Sequence, residues 1–116
     1  MPDTRVPEDV LPLRPVEFDV LLALAAGERH GYGILQEVQE RSDGAVVLEP
    51  GTLYRALRRM LAAGLVARTA ARRDSDDDRR RYYRLTDLGR RVASAEAARL
   101  AEIVLAARSR GLLRKA

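Results

Sequence analysis

Thr52, Arg55, Arg58 and Arg59 place one hydroxyl and three guanidinium groups along a single short segment. A guanidinium donates in a planar fork that matches a phosphate or the O6/N7 edge of guanine, so these residues suit recognition of a polyanion rather than covalent chemistry. The segment that carries them runs from Glu49 to Leu65. Within it Leu53, Leu57, Met60 and Leu61 recur at i, i+4, i+7 and i+8, which gathers them on one face of an α-helix and leaves the cationic residues on the other. Pro50 suits the first helical turn, where a missing N–H costs nothing, and Gly64 suits the stop. The backbone N–H groups of Gly51 and Thr52 then lie at the positive end of the helix dipole, open to an anion. Taken alone, the arginine face has two readings: a surface that reads nucleic acid, or solvated charge on an ordinary core helix.

The rest of the chain must position that helix. Residues 1–12 contain Pro2, Pro7 and Pro12 among charged residues without periodicity, and read as a flexible N-terminal arm or an extended lead-in. Pro15 to Ala26 reads as a first helix with Phe18, Leu21, Leu22 and Ala25 on one face and Val20 and Leu24 beside it. A second helix begins near His30-Gly31-Tyr32-Gly33 and turns Ile34, Leu35 and Val38 inward. Asp43-Gly44 is a turn dipeptide, and Ala45 to Leu48 is a brief β-prone run before the arginine helix. Leu65 to Ala70 and Arg81 to Leu85 then read as two strands around the charged loop Arg72 to Arg80. From Thr86, a good N-cap, a long alanine-rich helix extends to about Arg110. Its Ala93, Ala97, Leu100, Val104 and Ala107 follow a 4-3-4-3 spacing, the a/d seam of a coiled coil, with Leu88, Val92 and Ile103 adding apolar surface beside it. A second copy of the chain is the simplest cover for such a face.

The expected architecture is therefore mainly α with a small β-hairpin: a winged helix-turn-helix over residues 13–86, then a C-terminal dimerisation helix and tail over residues 87–116. In such modules the recognition helix enters the major groove and the wing follows a neighbouring phosphate backbone or minor groove. Thr52, Gly51, Arg55, Arg58 and Arg59 are the expected contacts on the helix, with Arg55 and Arg59 foremost. Tyr54 on its flank and Tyr32 at the start of the second helix serve either as phosphate contacts or as packing. Arg79, Arg80 and Arg81 form the base of the wing and are its expected contact, because Asp74, Asp76, Asp77 and Asp78 crowd the tip with like charge to DNA.

Composition agrees and excludes much else. The 116 residues carry a formal charge of +4, no cysteine, one histidine and only 4% aromatic residues. Disulfides, thiolate metal sites and a stacking platform for single strands are thereby excluded. No carboxylate sits beside a histidine or a phosphate-binding loop in a way that assigns a nucleophile or base, so neither an enzyme nor a cofactor is expected. His30 reads as a local capping residue, since a lone imidazole makes a poor metal site. No apolar run approaches the roughly 20 residues of a membrane span, and a cytoplasmic protein is expected.

The chain also resembles the PadR-like transcriptional regulators. The resemblance lies in Arg29-His30-Gly31-Tyr32-Gly33-Ile34, in Pro50-Gly51-Thr52-Leu53-Tyr54-Arg55-Ala56-Leu57, in Gly64-Leu65, and in Arg81-Tyr82-Tyr83-Arg84-Leu85-Thr86 followed by Gly89. It implies a homodimeric repressor of the compact subgroup with a single C-terminal helix, binding double-stranded operator DNA and released by a small aromatic or hydrophobic effector. The alternative from another class is a winged helix kept as a protein-interaction or ligand-sensing module without DNA binding, which the acidic wing tip favours.

Overall fold

The computed structural model describes residues 7–69 and 81–114. Four helices, α1 (Pro15–Ala25), α2 (Gly31–Arg41), α3 (Pro50–Ala62) and α4 (Asp87–Ser109), surround a three-stranded antiparallel sheet of β1 (Arg29–His30), β2 (Val66–Arg68) and β3 (Tyr82–Leu85). The expected winged helix-turn-helix with a long final helix is present. β3 is the central strand: Arg29 and His30 stand opposite Tyr83 and Tyr82 on one side, and Val66, Ala67 and Arg68 oppose Leu85, Arg84 and Tyr83 on the other.

Two differences concern the strands. The run Ala45 to Leu48 is not a strand; its place in the sheet is taken by the two residues Arg29 and His30. β-propensity did not decide the matter, because a strand needs an open edge to pair with, and the free edge of β3 lies beside β1. The Ala45–Leu48 run is instead held by its turn. Asp43 and Gly44 adopt left-handed backbone conformations, and the Ser42 hydroxyl accepts the Val46 N–H at 2.9 Å.

The core gathers Val20, Leu21 and Leu24 from α1, Ile34 and Val38 from α2, Leu53, Leu57 and Met60 from α3, then Leu65, Val66, Tyr83, Leu88 and Val92. α1 touches α2, α3, α4 and β3, so it is buried around much of its circumference, and its buried face centres on Val20, Leu21 and Leu24 rather than on Phe18, Leu22 and Ala25. Arg29 donates from Nε to the Ala23 carbonyl at 2.9 Å, answering one of the carbonyls left over at the end of α1.

α4 is joined to the body at its first turn. The Thr86 hydroxyl accepts the Gly89 N–H at 2.9 Å and donates to the Gly64 carbonyl at 2.6 Å, while the Thr86 N–H donates to the Leu65 carbonyl at 3.1 Å. A Cβ on Gly89 would overlap that Leu65 carbonyl oxygen and lie 2.9 Å from its carbon. Only a residue without a side chain lets the helix come this close.

Beyond that turn α4 buries a stripe of Leu88, Gly89, Val92 and Glu96. Leu88 and Val92, expected at a dimer interface, thus belong to the protomer's own core, because the first turns of α4 lie across α1 and β3. Glu96 is 2% exposed, and its carboxylate is fully engaged. Arg99 donates to it through two nitrogens at 2.5 and 3.1 Å, and the Leu13 N–H donates to Oε2 at 3.0 Å. That last bond fixes the lead-in to the domain: Pro7–Val10 forms a 3-10 turn packed on α4, with Val10 and Leu11 against the core. Residues 7–12 are accordingly part of the body rather than of a flexible arm. The remaining half of α4 is uncovered, with Ile103, Val104 and Leu105 each at least 44% exposed.

Two measurements check these contacts. In an open helix Gly→Ala gains about 1 kcal/mol. Here Gly89→Ala should instead destabilise by about 3 kcal/mol, at the upper end of overpacking costs because the obstacle is backbone, as read by urea denaturation. The hydrogen bonds from Arg99, and secondarily from the Leu13 amide, hold the Glu96 carboxyl below its usual range against the opposing effect of burial. A lowered acid contributes stability that is complete above its unfolded-state pKa and is lost as pH falls through the folded-state value. Glu96→Gln should therefore lower the melting temperature at neutral pH and flatten its decline on acidification.

Candidate nucleic-acid interface

α3 rises from a chain reversal with Pro50 in its first turn and buries Leu53, Ala56, Leu57 and Met60. Successive residues advance by about 100°, which puts Gly51, Arg55, Arg58 and Ala62 on the line opposite that buried stripe. All four are exposed. Thr52 and Arg59 fall on one flank, toward α1, and Tyr54 and Leu61 on the other, toward α2.

The side chains follow these positions. Arg55 lies back along the first turn, its Nη2 donating to the Thr52 hydroxyl at 3.3 Å and its Nη1 close over Gly51. Cation, hydroxyl and free amide groups are thereby gathered at one helix N-terminus. Arg58 is exposed and makes no ion pair among the described residues. Arg59 differs from expectation. Its Nε meets Glu17 Oε2 of α1 at 3.3 Å, so it is held on the flank and is not the partner of Arg55 on the outward line. Arg58 takes that place.

The start of α2 adjoins α3 through Tyr54. A Cβ on Gly31 would come within 2.9 Å of Tyr54 Cζ, so the phenol ring lies directly on the glycine. Tyr54 therefore packs on α2 while remaining 41% exposed. His30 caps α2, its Nδ1 accepting the Gly33 N–H at 3.0 Å, in the capping role its position suggested. Its ring stacks on Tyr32 at 6.3 Å and meets the edge of Tyr82 at 5.4 Å, forming a row of rings from α2 to the sheet. Tyr32 is 63% exposed at the end of that row.

On the sheet Tyr83 is buried, and Arg84 stands on the opposite, exposed face. Arg81 is exposed immediately before β3. Arg79 and Arg80, with the rest of the charged loop from Arg72 through Asp74, Asp76, Asp77 and Asp78, lie outside the described residues. Arg84 and Arg68 are exposed cations that sequence reasoning did not single out. The alternation of Tyr82, Tyr83, Arg84 and Leu85 carried the signal for Arg84, since Tyr83 inward sends Arg84 outward. Among the described residues no group of three histidine or acidic side chains converges as metal ligands, and no helix is long and apolar enough to cross a membrane.

Two helices joined through the turn and short run of residues 42–49, the second with a cationic outer line, followed by a β-hairpin, define a winged helix-turn-helix. The pattern described as "Transcriptional regulator PadR-like family" matches residues 20–95, more than half of the chain, and the protein belongs to that family. Among solved structures, a PadR family transcription regulator from hypervirulent Clostridium difficile R20291 is similar with a TM-score of 0.71 and 26% identity, over 81% of this chain and 95% of that one. A PadR-like transcriptional regulator from Bacillus cereus strain ATCC 14579 gives 0.70 at 20% identity, over 92% and 96%. Bacillus subtilis PadR, solved in complex with operator DNA, gives 0.62 at 21% identity, over 77% of this chain and 48% of that one. No curated protein matches.

The close seating of Tyr54 on Gly31 is open to a direct check. Gly31→Ala should leave the fold intact at a cost within about 1–3 kcal/mol and displace the Tyr54 ring, moving its aromatic proton resonances; unmoved resonances would contradict the packing.

Proposed function

We propose that the protein is a sequence-specific, homodimeric DNA-binding repressor in the cytoplasm that releases its operator on binding a small hydrophobic effector. The single observation that carries the DNA reading is the outward line of α3, where Gly51, Arg55 and Arg58 are exposed and neither arginine is paired with an acid among the described residues. A helix so furnished can set its N-terminus against a phosphate and its guanidinium groups against base edges. Tyr32, next in sequence to the Gly31 on which Tyr54 lies, adds a hydroxyl for backbone contact, and Tyr54 adds another at the α2–α3 junction. Thr52 keeps Arg55 in place. Arg81 and Arg84 supply positive charge from the sheet, with Arg79 and Arg80 as further contacts toward the wing. The operator complex of Bacillus subtilis PadR supports this use of the fold.

Dimerisation rests on the second half of α4. Ala97, Leu100, Ile103, Val104 and Ala107 stand beyond the stripe that the protomer buries, and an apolar helix face of this kind is covered at lowest cost by its own copy. Two protomers related by a two-fold axis would read half-sites about 10 base pairs apart, or a multiple of that. An effector of hydrophobic character would find its apolar surface there as well. The groove beside α2, lined by Tyr32, Gln36, Gln39, Glu40, Asp43 and Gly44, is polar and open and does not suit one.

The test uses duplexes selected from a random pool by the wild-type protein, titrated by fluorescence anisotropy across a range of salt concentrations. Arg55→Ala and Arg58→Ala should each weaken binding by about 1–3 kcal/mol if the lost contact is to a guanine, or reduce the salt slope by about 0.9 if it is to a phosphate, with circular dichroism unchanged. Normal binding by both variants would remove α3 as the recognition helix.

A further inference from the structure

Arg59 has the sequence position of a recognition residue and the environment of something else. Its Nε lies 3.3 Å from Glu17 Oε2, and the pair is unequal: the arginine side chain is 38% exposed and the glutamate only 14%. The second oxygen of Glu17 accepts the Arg14 N–H at 3.1 Å, closing the first turn of α1. Glu17 is therefore fixed at both oxygens, by α1 on one side and by α3 on the other. An anion at the start of a helix is further favoured by the dipole of α1. Were Arg59 to turn toward DNA, it would leave a largely sheltered carboxylate without its cation, next to a phosphate backbone of the same sign. Arg55 and Arg58 have no such competitor, since neither meets an acid among the described residues.

We infer that Glu17 is a positioning residue that withdraws Arg59 from DNA, so that α3 offers the duplex two cations rather than three and sequence-independent affinity is held down. The inference rests on the DNA-binding reading given above. Its physical content is a difference between two kinds of contact. A freely swinging arginine at the edge of a recognition helix adds a phosphate contact that every sequence supplies equally, while the contacts that discriminate come from the outward line. Removing the former lowers binding to all sequences and leaves the difference between right and wrong ones to be set by Arg55 and Arg58.

The experiment compares wild type, Glu17→Gln, Arg59→Ala and the double variant, by anisotropy on a selected and a scrambled duplex as salt is varied. Glutamine keeps the shape and an acceptor for the Arg14 N–H, so a merely structural role should show in the melting temperature and not in the salt dependence. Glu17→Gln should steepen the salt slope on the scrambled duplex by about 0.9, which corresponds to roughly tenfold tighter binding at about 0.1 M salt. The selected duplex should tighten by the same factor, so that the preference between the two stays as in the wild type. Arg59→Ala should leave the slope at its wild-type value, and the double variant should match Arg59→Ala. An Arg59→Ala slope reduced by about 0.9, with Glu17→Gln unchanged, would overturn the inference by making Arg59 itself a phosphate contact. An equal effect of Glu17→Gln with and without Arg59 would overturn it as well, leaving only a general loss of negative charge. Failure of the wild-type protein to bind any duplex, at any salt, is a separate result that removes the DNA reading and the inference with it.

Discussion

The meeting of Gly89 with the main chain of Leu65 is the constraint on which the remaining geometry depends. At this point the end of α3, the start of β2, the end of β3 and the start of α4 come together, and backbone touches backbone with no side chain between them. Thr86 completes the junction from the other side, capping α4 with the same hydroxyl that bonds the Gly64 carbonyl. The direction of α4 is thereby tied to the helix that carries the arginines. A larger residue at position 89 would tilt one against the other, and any partner copy held by the far half of α4 would move its own recognition helix with it. The second tie, from Glu96 to the Leu13 amide, sets the N-terminal lead-in against the same helix and leaves only its later turns for another chain.

Much of this was legible in the residues, because it depends on periodicity and on local chemistry. The burial of Leu53, Leu57 and Met60, the turn at Asp43-Gly44 and the cap at Thr86 each follow from a spacing of 3.6 or from the needs of one backbone conformation. The order of elements then distinguished a winged helix from a simple bundle, and the match of residues 20–95 to the PadR-like family agrees with it.

What was not legible depends on partners distant in sequence. Two residues, Arg29 and His30, carry no strand period and become one only because β3 lies beside them. Glu96 reads as an ordinary helix-surface acid until Leu13, 83 positions away, is found donating to it. Likewise Arg59 and Arg58 are neighbours of one type on one helix, and helical spacing alone separates them by only a single step of rotation. The carboxylate of Glu17, 42 residues earlier, decides which of the two is free. Leu88 and Val92 share the apolar character of Ile103 and Val104, and only the position at which α4 leaves the body assigns the first pair to the core and the second to the surface.

In the proposed role, the outward line of α3, with the adjoining start of α2, is the face that meets DNA. The most direct measurement is chemical-shift mapping of the 15N-labelled protein titrated with a selected duplex at physiological salt. The largest changes should fall on Gly51, Thr52, Arg55 and Arg58, with Tyr32 and Arg81 next, while the outer face of α2 around Gln39 and Glu40 stays still. Changes centred instead on that α2 face or on the later turns of α4, with α3 unmoved, would contradict that role.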